Sequence, residues 1–403
     1  MTVLFGHPTG NPNSHHAALA HYEADHLEAF CLPWMPSTMS VHAIESVSLL
    51  RPDATRLSRR HFAPLEKAPK VQGRMREVFR LIGRSIGLSN EWLAYDANDW
   101  LMRTMQRECN RPSVSVIHCY EDCSLLQFQK AKGLGKATVY DMPIGYYPAW
   151  EATQNELAKK YCDWLPPEGL KSSRYVRPQQ KRLEMELADL VLVPGSYVEK
   201  TIREFHPHKL IAQAAYGVDL EFWTPKVDRK TIRPMCFIYA GQLSLRKGIP
   251  VLLEAWKKAA LVDAELVLVG NWQLSEAKLR QLPPNVIRVS ECSAFELRDH
   301  YRAADVFVFP TFFDGFGLVL LEAMACGLPA IATESSAGPD VVNKACGRLL
   351  PRGDVETLVD QLRWFNDHRD SLPAMRRAAL AQAARCTWQN YRRCVSNAVA
   401  PFV

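Results

Sequence analysis

Two carboxylates, Asp314 and Glu322, stand with seven residues between them in the stretch YRAADVFVFPTFFDGFGLVLLEAMACGLPAIA, Tyr301 to Ala332. The apolar run Val306–Phe309, rich in Val and Phe and stopped by Pro310, predicts a buried parallel strand. A loop holding Gly315 and Gly317 follows, then an apolar helix from about Leu318 to Cys326, closed by Gly327 and Pro329. Such a strand, loop and helix start is suited to anions, because the first N–H groups of a helix lack partners and its dipole points there. Glu322 lies among Leu320, Leu321, Ala323 and Met324. A carboxylate buried there without partners is costly, so a bound pair of hydroxyls explains it better than packing does. Asp314 faces the loop, where it could hold a ligand or simply cap the helix.

The matching cations lie upstream. After an apolar run at Cys236–Tyr239 comes Gly241-Gln242-Leu243-Ser244-Leu245-Arg246-Lys247-Gly248. Pro250 then opens a helix with Leu252, Leu253, Trp256 and Ala259 in one stripe. Glycines let the backbone approach a ligand, and Arg246 and Lys247 add two charges beside a helix start, a chemistry that suits a diphosphate. The loop fits neither a Walker A motif nor G-x-G-x-x-G. Taken alone, such a basic turn can also be a mere connection with Lys247 at the surface.

The elements that must position these groups alternate strand and helix. In the first half, strands are predicted at Thr2–Gly6, Glu28–Leu32, Ser113–Cys119, Ala137–Tyr140, Leu190–Val193 and Leu210–Ala215. The second half gives Cys236–Tyr239, Glu265–Val269, Val286–Val289, Val306–Phe309, Ala330–Ala332 and Gly347–Leu350. That alternation predicts doubly wound parallel sheets, and 403 residues exceed one ordinary core, so two domains are expected. Residues 1–225 form the first and 235–386 the second, with the charged, Pro-ended 226–234 as linker. Residues 35–72 show no readable periodicity. Polar residues at strand ends face the ligand side of such sheets, which makes His118, Tyr120, Glu121 and Asp141 candidates, with His15 and His16 after the first strand.

The net charge of +6 is concentrated: residues 51–84 hold ten Lys/Arg against three Asp/Glu, leaving the remainder about neutral. Within them RMREVFRLIGRSI, Arg74 to Ile86, is amphipathic at helical spacing. It reads either as a helix packed on its domain or as a face for an anionic membrane or a lipid-diphosphate acceptor. No apolar stretch approaches the ~18–20 residues of a membrane span, and MTVLFGHPTG reads as a strand, not a signal peptide. Eleven scattered cysteines, an odd number, suggest reduced thiols and a cytoplasmic protein, possible membrane contact being peripheral on the inner face.

In order and spacing, the Gly241–Gly248 loop, Leu252-Leu253-Glu254-Ala255-Trp256, Leu266-Val267-Leu268-Val269-Gly270 and the bracketed stretch resemble the retaining GT-B glycosyltransferases of the group 1 type, family four. The resemblance covers Pro234 to Cys386. It is weaker upstream, at Ala188 to Pro194 with Ser196 and at Gly217-Val218-Asp219, and the helix beginning at Trp388 (388–403) resembles the one that returns to the first domain. It implies two Rossmann-like domains facing a cleft, a UDP- or GDP-linked sugar on the second and a glycan or lipid-linked acceptor on the first. Lys247 and Arg246 would hold the diphosphate and Glu322 the ribose hydroxyls. The transferred sugar would meet Asp314. Gly241 and Gln242 would border the donor, with backbone N–H groups of Phe316, Gly317, Leu318 and Val319 on the phosphates. His118 is a candidate for contacting the sugar. No metal or cofactor is implied, and no Asp-x-Asp pair is present. Two departures stand out: Asp314 where the family has Glu, and Gln242 where it has Arg, a charge that Arg246 could replace. Alternative readings are a GT-B nucleotide-sugar epimerase or hydrolase, and a non-catalytic binding protein.

Overall fold

The computed structural model describes residues 1–37, 40, 60–85, 88–166, 169, 177–226 and 234–403. Residues 51–59 of the basic segment and 227–233 of the expected linker lie outside these. Two parallel sheets make up the chain. The first has seven strands: β1 (Thr2–Gly6), β2 (Leu27–Leu32), β3 (Lys70–Gln72), β4 (Val114–Tyr120), β5 (Ala137–Asp141), β6 (Leu190–Val193) and β7 (Ile211–Gln213), in the order β3-β2-β1-β4-β5-β6-β7. The second has six: β8 (Met235–Ala240), β9 (Ala264–Val269), β10 (Val286–Val289), β11 (Val306–Phe309), β12 (Ala330–Thr333) and β13 (Gly347–Leu350), ordered β10-β9-β8-β11-β12-β13.

Continuous apolar runs produce these strands because both faces are covered. All residues of β6, β8, β11 and β12 are buried. In the second sheet the helix Ile249–Ala259 packs on Val355–Asp367, and Leu318–Ala325 packs on Leu372–Ala383. Each sheet reverses its strand order once, between β1 and β4 and between β8 and β11. Ligands bind at the carboxyl ends of strands at such points, and both glycine loops singled out above leave the second one.

The two halves meet closely. A Cβ on Gly315 would lie 1.7 Å from the Pro143 carbonyl oxygen, so this position admits no side chain while the halves stay in contact. Ser196 N–H donates to Asp340 Oδ2 at 3.1 Å. The final helix, Trp388–Val399, packs on Pro12–Glu23 of the first half, where Arg392 Nε donates to Glu23 Oε2 at 2.7 Å.

Several elements escaped sequence reading: β3 and the helices Asn90–Glu108, Leu125–Gly133 and Tyr147–Lys160. The amphipathic segment is helical over Arg74–Ser85, and among the described residues nothing covers its apolar side chains Met75 and Phe79. Met75 is 79% and Phe79 45% exposed.

Gly315→Ala is expected to lower stability by about 1–3 kcal/mol, as forced overpacking does, seen as a lower urea midpoint. Gly133→Ala is the control, since its added Cβ meets nothing within 4 Å. It should not lower the midpoint.

Candidate active site

The site is built from two loops pressed together at their backbones. Gly248 adopts a left-handed φ of 74°, and a Cβ there would meet the Pro310 carbonyl oxygen at 2.0 Å. Phe312 N–H and the Thr311 hydroxyl both donate to the Arg246 carbonyl, at 2.8 and 3.2 Å. The loop after β8 is thereby fixed over the end of β11. Lys247 is carried inward, its ammonium 5.2 Å above the Phe309 ring and ion-paired with the Asp314 carboxylate. Only 9% of Lys247 is exposed; burial lowers its pKa, and Asp314 opposes that shift. Asp314 Oδ1 also accepts from Gly315 N–H at 2.8 Å.

Arg246 lies beside this pair. Its guanidinium donates to the Phe313 carbonyl at 2.9 Å and approaches Gln242 Oε1 at 3.5 Å, so Arg246 and Gln242 are neighbours. The helix Leu318–Ala325 starts from Gly317 with φ 84° and no capping side chain. Leu320 N–H bonds back to the Gly317 carbonyl at 2.8 Å, which leaves the N–H groups of Leu318 and Val319 free of intrahelical bonds. One turn in, Glu322 is half-buried, and its carboxylate has no hydrogen bond or ion pair among the described residues. Burial alone raises its pKa to about 7. Cations, a free helix start and an unpartnered carboxylate thus share one strand-end crevice, an arrangement for an anion with a hydroxyl-bearing neighbour.

Opposite, at the ends of β4 and β5, Tyr120 and Asp141 are register partners and both buried. Burial pushes the Asp141 carboxyl up to about 7, with the Tyr120 hydroxyl pulling the other way. Tyr216 bridges toward the loop after β11, its ring 5.4 Å from that of Phe316.

His118 does not reach the crevice. It shares the inward face of β4 with Tyr120, and the helix Pro12–Glu23 covers that face, so His118 is fully buried. Its Nδ1 lies 2.9 Å from His21 Nε2, and burial lowers its pKa to about 3. Its Nε2 is 3.7 Å from Asp141 Oδ2, and its ring stacks 6.5 Å from that of Tyr120. Glu121, on the other face of β4, is held by Lys181 at 3.0 Å and is committed to the fold. His15 is buried and stacks on Phe62 at 5.2 Å. His16 stacks on Trp388 at 4.3 Å beneath the returning helix. Of the acceptor-side candidates, Tyr120 and Asp141 are the ones placed together at a strand-end position.

Sequence reasoning missed Trp150 and Tyr197, whose rings flank Phe313 at 5.3 and 5.8 Å and wall the crevice from the first half. Trp150 sits on Tyr147–Lys160, a helix without a clean apolar stripe. The cluster of aromatic and amide residues there was the available signal.

Residues 226–385 match the family described as glycosyl transferases group 1. A D-inositol 3-phosphate glycosyltransferase of Paenarthrobacter aurescens is 30% identical over 227 residues, 46% of this chain and 52% of that protein. A sulfoquinovosyl transferase of Arabidopsis thaliana is 27% identical over 226 residues, 50% of this chain and 42% of its own. The chain thus spans about half the length of these relatives. In fold it resembles the sucrose-phosphate synthase of Thermosynechococcus elongatus, with a TM-score of 0.66 over 98% of this chain and 96% of that one at 16% identity. It also resembles a lipopolysaccharide outer core galactosyltransferase, TM-score 0.62 over 100% of both chains at 16% identity.

Glu322 gives a stability test. Its pKa is higher in the folded chain, about 7 against 4.5, so folding binds a proton and stability falls as pH rises between those values. Glu322→Gln removes that cost. The variant should match the native chain below 4.5 and be more stable by about 2 kcal/mol above pH 7, allowing for the part of the side chain water still reaches. Urea unfolding at both ends of the window reads the difference.

Proposed function

We propose, on the premise that residues 226–385 are a group 1 glycosyl transferase domain in a GT-B chain, that this protein is a hexosyltransferase. Its donor is a UDP- or GDP-linked sugar, and its acceptor a glycan or lipid-linked saccharide of a cell-surface polysaccharide or glycoconjugate. Transfer proceeds with retention of anomeric configuration. The observation that carries this reading is the crevice itself: Lys247 and Arg246 beside the open start of Leu318–Ala325, with Glu322 unpartnered one turn beyond.

Negative charge grows on the departing diphosphate as the sugar takes on oxocarbenium character. Fixed cations and helix N–H groups in a dry crevice stabilise that charge without reorganising. Lys247 and Arg246 supply it, so the proposed reaction needs no divalent metal. Glu322 accepts from the ribose hydroxyls. Asp314 holds Lys247 in place and presents its remaining lone pairs to the transferred sugar. Tyr120 and Asp141 face the acceptor from the first half. The leaving phosphate takes the acceptor proton.

Mass spectrometry over a panel of nucleotide sugars tests the reaction. UDP or GDP should appear only when an acceptor is present. Isomerised donor, hydrolysed donor, or binding without turnover would each refute transfer. Lys247→Ala should reduce kcat by about 100-fold or more, the scale of losing one preorganised charge-stabilising group. Arg246→Ala should weaken donor binding about tenfold, the worth of one charge-assisted hydrogen bond. Unchanged donor affinity would show that Arg246 does not replace the charge missing at Gln242.

A membrane-bound acceptor fits the uncovered helix Arg74–Ser85. Phe79 lies 6.3 Å from Trp92, which is 39% exposed, and Met75 projects beside them. Arg80 is tied to buried Glu77 and Arg76 to Asp96, so apolar insertion carries more of the contact than charge does. No described helix is long and apolar enough to cross a membrane; the association proposed here is peripheral, on the cytoplasmic face. Co-sedimentation with phosphatidylglycerol vesicles should be lost in Met75→Glu/Phe79→Glu. Equal sedimentation of variant and native chain rules this surface out.

A further inference from the structure

A second compartment opens across the loops from Glu322. The helix Tyr147–Lys160 and the turn Cys162–Trp164 belong to the first half but lie along the second. Arg352 Nη1 donates to Thr153 Oγ1 at 3.0 Å and pairs with Glu156 at 3.2 Å. Ser275 N–H donates to the Trp164 carbonyl at 2.9 Å. Between this strap and the loops after β8 and β9 lies a cavity of about 900 Å³.

Its lining differs in kind from the crevice. Four side-chain amides converge on it, Gln154, Gln242, Asn271 and Gln273, with the indoles of Trp150 and Trp272. Lys247, Asp314 and Glu322 are not among its walls, while Arg246 and Trp150 border both spaces. Amides donate and accept at once and so match vicinal hydroxyls, and indole faces cover the C–H faces of pyranose rings. A nucleobase also uses amides and stacking, but one planar base fills little of a space near the top of the ~300–1,000 Å³ range of small-molecule sites. The unpartnered carboxylate suited to ribose hydroxyls also lies outside this space.

We infer that this cavity is a saccharide subsite, holding sugar units of the acceptor glycan beyond the one that reacts. The inference rests on the glycosyltransferase reading for the word acceptor, but binding of saccharide stands or falls separately. Because its walls come from both halves, an occupied subsite also holds the halves together beside Arg246. Binding energy from sugars remote from the reacting centre then supports the closed arrangement in which transfer occurs.

The test uses the full chain and two titrations. Defined neutral oligosaccharides of one to four hexoses are titrated by saturation-transfer NMR, and UDP and GDP by calorimetry. Native protein should bind oligosaccharides more tightly than single hexoses. Gln273→Ala, an exposed position, should weaken oligosaccharide binding at least tenfold and leave UDP and GDP affinity unchanged, and Trp150→Ala should weaken oligosaccharide binding as well. Oligosaccharide affinity equal in native protein and Gln273→Ala overturns the subsite, as does native protein that binds none of the panel. Loss of nucleotide affinity in Gln273→Ala reassigns the cavity to the donor. Native protein that binds oligosaccharide but neither nucleotide refutes the donor reading and leaves the subsite standing.

Discussion

Burying an ammonium is expensive, and the arrangement around Lys247 follows from where its counter-charge comes from. Desolvation favours the neutral amine, and the Asp314 carboxylate is the partner that opposes it. The two groups leave different strands, β8 and β11, so the pair also ties together the two loops that form the crevice. A backbone clamp stands behind it, with Gly248 against Pro310 and the Arg246 carbonyl taking two bonds from Thr311 and Phe312. The pair is thus held by structure that would persist if either charge were removed. On the proposed reading, a diphosphate entering here would meet a lysine already desolvated, whose attraction for a second anion is not diluted by water.

This gives a physical meaning to the shorter acid at position 314. Its carboxylate turns back on its own loop, to Lys247 and to the Gly315 N–H. Gly315 in turn lies against Pro143 of the first half. An acid one methylene longer would have to place its head further from this short circuit of contacts. The acid at position 314 is therefore the residue through which the loop after β11, the lysine and the domain contact are joined.

The fold was legible because buried parallel strands write themselves as continuous apolar runs, and β1, β6 and β11 fall where those runs end. The crevice around Lys247 was legible for a related reason: its charged residues lie in two short contiguous loops. The first half was harder to read. Its strand-end residues come from β1, β4 and β5, and a strand position does not tell which helix will cover it. His118 and Glu121 both looked available until His21 and Lys181 were placed against them. The helix Tyr147–Lys160 was invisible as an element since its contacts run to the other half, and single-helix periodicity registers only a helix's own core. Asp141 was visible as a strand-end acid, but its neutral-leaning state comes from burial that only three dimensions supply.

The two carboxylates that bracket the crevice end in opposite electrostatic situations. Asp314 has a cation in contact. Glu322 has none, and burial lifts its pKa to about 7. Were both acids fully charged and unpaired, they would repel the diphosphate that the proposed reading assigns to Lys247 and Arg246. Pairing one and desolvating the other keeps the net field of the crevice favourable to anions. On the proposed reading, Glu322 would carry a proton when the site is empty and accept hydroxyl hydrogens from a ribose. The cost of holding an unsatisfied acid on an apolar helix is charged against folding, and contact with a hydroxyl pair returns part of it. A residue chosen for stability alone would not be Glu at this position, so its presence argues that ligand contact, and not packing, set the side chain there.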